Sequence, residues 1–102
     1  MFTKKEIESL DRHYFNIRFA GGYCVVLQSK NTKHIWSIHH EEIGKIKHCI
    51  IYHKHNDSDS YHIQGNARNM ECAITKIMDH DDFQLKGRKE KAAGCYTNCT
   101  CS

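Results

Sequence analysis

Apolar residues along this chain fall into short periodic runs separated by polar turns, and the period changes from one run to the next. Thr3-Lys4-Lys5-Glu6 is a capping box flanked by Phe2 and Ile7, which stand where a hydrophobic staple would close. With Leu10 they predict a short helix over about 4–11. Tyr14 to Phe19 then alternates, with Phe15, Ile17 and Phe19 on one side. Gly21-Gly22 separates this run from Tyr23–Gln28, so the two read as a hairpin. Lys33–His39, with Ile35, Trp36 and Ile38, reads as a third strand, and His40–Lys45 as a turn. Ile46–Lys54 carries Ile46, Ile50, Ile51 and Tyr52, a strong β-favouring run. Asn56–Ser60 is a loop and Tyr61–Gln64 a short returning strand. Beyond Gly65-Asn66, the residues Met70, Ala73, Ile74, Ile77 and Met78 recur at helical spacing. They predict a helix over about 67–80, ended by Asp79, Asp81 and Asp82, because acidic groups oppose the helix dipole at a C-terminus.

The expected order is α-β-β-β-β-β-α. Its natural architecture is a small antiparallel sheet of four to five strands in the α+β class, packed on one face by the two helices. The expected organisation is one domain over 1–86 and a flexible, charged and cysteine-rich tail over 87–102.

The length of 102 residues leaves room for one core. Apolar residues are 39% and charged residues 26%, with no proline, which fits a compact and well-solvated chain. No apolar run approaches the ~20 residues of a membrane-spanning helix, and the first ten residues lack the apolar centre of a secretion signal. The expectation is therefore a cytoplasmic protein without a membrane partner. A net charge of +3 is mildly basic. Nine histidines matter more, since each titrates near pH 6.5 when unperturbed.

The candidate chemistry lies in three places. His53, His55 and Asp57 form an H-x-H-x-D pattern, and strand alternation puts both imidazoles on one side, where they suit zinc. Over these five residues the chain resembles the first ligand set of the metallo-β-lactamase superfamily, although Ser58 stands where that superfamily has a further histidine. The order strand, loop, strand, helix over 46–80 also resembles a ββα metal nuclease of the HNH kind. That resemblance implies His53 or His55 as the base, Asn56 or Asn66 to orient it, and a metal ligand on the helix; the inward helical positions Met70, Ala73, Ile74 and Ile77 supply none. Among the other histidines, His34, His39, His40, His48 and His62 are scattered along the sequence.

The second place is a surface. Tyr14, Arg18, Tyr23, Lys47, Tyr52, Lys54 and Tyr61 are interleaved on the predicted strands, a mixture that stacks on bases, neutralises phosphates or populates protein interfaces. The α-β-β-β-α portion resembles a double-stranded-RNA-binding domain, without the basic start of that domain's second helix. The third place is the tail. Cys95, Cys99 and Cys101 offer thiolates for zinc or copper. Together with Thr97, Thr100 and Ser102 they resemble the core of a ribosomally made, post-translationally modified peptide.

With no convincing catalytic set, the sequence leads to a non-catalytic binding protein without a required cofactor. It would dock on a larger protein or nucleoprotein, in the manner of an accessory or inhibitory factor of a phage or mobile element. RNA or DNA binding, a modified or metal-binding tail, and a metal nuclease are the alternatives.

Overall fold

The computed structural model of the chain describes residues 1–86. The order is α1 (Lys4–Glu8), β1 (Phe15–Ala20), β2 (Cys24–Ser29), β3 (Ile35–Ile43), β4 (Ile46–Lys54), β5 (His62–Ala67) and α2 (Met70–Leu85). The five strands form one antiparallel sheet in sequence order, β1-β2-β3-β4-β5. This is the expected α+β architecture.

Alternation along the strands assigns the two faces. Val25 and Leu27 on β2, Trp36 and Ile38 on β3, and Cys49, Ile51 and His53 on β4 are buried and in register with one another. They face α2, whose Met70, Ala73 and Ile77 complete the core with Phe2, Leu10 and Phe15. Burying such side chains is the main source of stability, about 1.5–3 kcal/mol for each large one. Phe2 is pinned by its amide, which donates to the Gly22 carbonyl at 2.6 Å, and Ile7 packs against the same cluster.

Several boundaries differ from expectation. Both halves of the capping box form, Glu6 N to Thr3 Oγ1 at 3.0 Å and Thr3 N to Glu6 Oε1 at 2.9 Å. α1 nevertheless stops at Glu8, because the Asp11 carboxylate accepts from the His13 and Tyr14 amides and turns the chain out of the helix. The expected turn over 40–45 is mostly strand: Glu41 pairs across from His48, and Glu42 across from Lys47, an opposite-charge pair that suits facing positions. Only Gly44-Lys45 turns, with Gly44 at φ 62°, a first hairpin position that requires positive φ. β5 runs on to Ala67, so Asn69 rather than Gly65-Asn66 caps α2, its side chain accepting from Cys72 N at 2.9 Å.

α2 also continues past His80 to Leu85. The aspartates expected to end it are accommodated. Asp82 pairs with Lys86 at 3.1 Å, and Asp81 turns inward and is fully buried. Its Oδ2 accepts from Tyr14 Oη at 2.8 Å and Ser29 Oγ at 2.6 Å, and its Oδ1 from Thr32 Oγ1 at 2.9 Å. A carboxylate with three donors is solvated by the protein and no longer breaks the helix.

Candidate metal centre

The extra turn of α2 brings His80 to the sheet. The buried stripe of this helix runs Met70, Ala73, Ile77, and His80 is its next member at i+3. His53 enters from β4 and is 1% exposed. His34 stands just before β3, at the end of a turn where Lys33 adopts φ 68° and the Thr32 hydroxyl accepts from the His34 amide. One ring nitrogen from each of His34, His53 and His80 lies within 4.8 Å of the other two. Three elements distant in sequence thus aim three imidazoles at one point.

The rest of the surroundings orders these rings. His53 Nε2 lies 2.9 Å from His34 Nδ1, and His53 Nδ1 lies 3.3 Å from His62 Nε2. Trp36 stacks on His53 with ring centroids 4.0 Å apart, and His55 stacks on His34 at 4.3 Å. The Trp36 indole N–H donates to Ser29 Oγ at 3.1 Å, and Ser29 in turn donates to Asp81. The Asp81 carboxylate therefore holds three things in place: the Thr32 turn before His34, the Trp36 plate under His53, and the helical turn that carries His80.

The electrostatics keep the central rings neutral. Burial, helped by the neighbouring His80, His34, His55 and His62, pulls the His53 pKa down to about 3. Burial and then His55 lower that of His34. A neutral imidazole has a lone pair to offer a metal, whereas an imidazolium has none. Tetrahedral zinc, with Zn–N near 2.0–2.1 Å, sets ligand nitrogens about 3.3–3.4 Å apart. The His34–His53 pair is already at 2.9 Å. Zinc on His53 Nε2 would leave Nδ1–H to donate to His62, the outer hydrogen bond that fixes a ligating tautomer. The donor set suits zinc, copper, nickel or cobalt.

Of the residues expected to bind metal, His53 is central and His55 is close, its ring centroid 5.0 Å from that of His53. Asp57 is drawn elsewhere: its carboxylate meets Arg18 Nη1 at 2.8 Å and is held below the usual range by that bond. Cys95, Cys99 and Cys101 lie outside the described residues. His34 and His80 were not singled out by sequence. For His80 a signal existed, since extending the Met70–Ala73–Ile77 stripe by three residues reaches it. His34 had none, because only the folded register of β3 against β4 sets it beside His53.

The expected binding surface divides. Arg18, Tyr52, Lys54 and Tyr61 belong to the sheet face away from α2, where Lys54 Nζ sits 4.5 Å from the Tyr61 ring centre and the Arg18–Asp57 pair ties the 55–61 loop back to β1. One row of that face crosses all five strands, Phe19–Val26–Ser37–Tyr52–Ile63, with Phe19 and Ile63 more than half exposed. Tyr14 instead turns to Asp81, Tyr23 stands near His40 with ring centroids 6.2 Å apart, and Lys47 lies on the β3–β4 arm opposite Glu42. No helix among the described residues is long and apolar enough to cross a membrane. Comparison with family models, with curated proteins and with solved structures finds no match for this chain.

Proposed function

We propose that this chain is a small binding protein that carries one divalent transition-metal ion, zinc by preference, on His34, His53 and His80. The observation behind it is the convergence of three ring nitrogens within 4.8 Å from the β2–β3 turn, β4 and α2. The neutral state of His53 and His34 and the hydrogen bond between His53 and His62 support the same reading. The nuclease reading is less well supported, because a His53 buried among other rings and neutral down to about pH 3 is poorly placed to take a proton from water.

The test is zinc calorimetry on the untagged full chain under non-reducing conditions, with histidine variants separating the cluster from the cysteines. One ion per chain is expected. His34→Gln and His80→Gln should each weaken binding more than tenfold, while His48→Gln, a change outside the cluster, should not. Zinc at a hundred times its Kd should stabilise the fold by about 2.7 kcal/mol. Equal binding by all three variants would refute the assignment.

A second reading, docking on a larger protein or nucleoprotein, is favoured by the five-strand row from Phe19 to Ile63. It predicts that Ile63→Lys and Phe19→Lys abolish capture of a partner while leaving zinc binding intact. Capture unchanged in both variants would remove that face from consideration.

A further inference from the structure

A cleft of about 160 Å³ opens between β4, β5 and α2, lined by Trp36, Ile51, Gln64, Gly65, Lys76, Ile77, Asp79 and His80. It meets the histidine cluster at Trp36 and His80. The other flanks of the cluster are occupied: His62 stands on the Nδ1 side of His53, and the His55 ring covers the face of His34. Three protein nitrogens leave a tetrahedral ion one position short, the arrangement that binds an exogenous ligand.

We propose that the cleft delivers that ligand, and that it is a small monocarboxylate with an aliphatic body. This rests on the metal reading above. A divalent ion on three neutral imidazoles presents a net positive charge and accepts a carboxylate oxygen readily. Trp36, Ile51 and Ile77 give the cleft an apolar floor for a few carbon atoms. At its rim Lys76 is held by a 2.6 Å bond from Nζ to the Asn66 carbonyl, which places a second positive charge near the entrance. Asp79 lines the same cleft, so a monoanion is preferred to a dianion. Gly65 faces α2 in register with Ile51, and a Cβ added there would meet nothing within 4 Å. The space for the ligand exists because this position carries no side chain.

The experiment uses the full chain loaded with Co(II), whose visible bands report the coordination sphere. Titration with acetate, propionate and butyrate should change the spectrum saturably, each added methylene tightening binding about fourfold. Gly65→Leu should fill the cleft, leaving Co(II) uptake unchanged and weakening butyrate more than tenfold. Lys76→Met, at a half-buried position outside the core, provides a second variant that keeps the fold and should weaken all three acids a few-fold. Cobalt bound with a spectrum indifferent to the acids would overturn the cleft proposal and leave the metal centre standing. So would acids that bind with equal strength to the parent chain and to both variants. Failure of cobalt to bind at all would overturn both.

Discussion

Replacing Asp81 with alanine removes the carboxylate on which three hydroxyls converge. Tyr14, Ser29 and Thr32 reach it at 2.8, 2.6 and 2.9 Å, and the carboxylate itself is fully buried. A hydrogen bond to an ionised group contributes about 1.5–3 kcal/mol net. The three together are partly offset by the cost of burying the charge, several kcal/mol. Ser29 still accepts from Trp36, and Thr32 still accepts from the His34 amide, so neither hydroxyl is wholly stranded. The expected loss for Asp81→Ala is about 3–4 kcal/mol, a large share of the ~5–15 kcal/mol that holds such a domain together. Asp81→Asn keeps the shape and one oxygen, and Thr32 can turn to accept from the new amide. It should cost about half as much, since only the charge assistance is lost. Urea unfolding followed by fluorescence is the assay, because Trp36 is the single tryptophan and is fully buried. A second readout is the Tyr14 phenol, which burial and the Asp81 contact push up to about 12. In Asp81→Asn its titration should move back toward 10. An Asp81→Ala protein with an unchanged urea midpoint would refute the reasoning, and so would an Asp81→Asn protein as unstable as the alanine variant.

Two further outcomes follow from the same packing. In the presence of a chelator the protein should lose stability on acidification: the folded His53 value of about 3 lies below the ordinary value near 6.5, so the unfolded chain takes the proton first. That contribution is full above about pH 6.5 and is lost as pH falls through 3. It predicts a drop of roughly 2 kcal/mol between pH 7 and pH 5 in urea midpoints, with a shallower slope in His53→Leu, and a flat profile would count against it. Cys49 should resist alkylation at pH 8, because burial pushes its thiol up to about 11, while the half-buried Cys24 reacts sooner. Peptide mapping that finds Cys49 labelled as fast in the folded protein as in urea would contradict its placement.

The sequence by itself determined which segments could be strand or helix. Alternation at Phe15–Ile17 and the β-branched run at Ile46–Lys54 are local signals that the backbone obeys, but a bulge between Ile17 and Phe19 breaks the alternation and turns Phe19, expected beside Phe15 and Ile17, to the opposite, exposed face. The capping box at Thr3 and the Met70–Ala73–Ile77 stripe are equally local, because they act within one turn of chain. The H-x-H spacing likewise put His53 and His55 side by side. What the tertiary structure decided depends on partners far apart in sequence. Asp81 reads locally as a helix stop, yet it is buried inside a helix because Tyr14, Ser29 and Thr32 come to it from 67, 52 and 49 residues away. The extra turn that this permits carries His80 onto His53, and the pairing of β3 with β4 carries His34 there as well. Histidines that look scattered along the chain become a cluster only when sheet register and helix length are both set, and neither is encoded in the residues next to them.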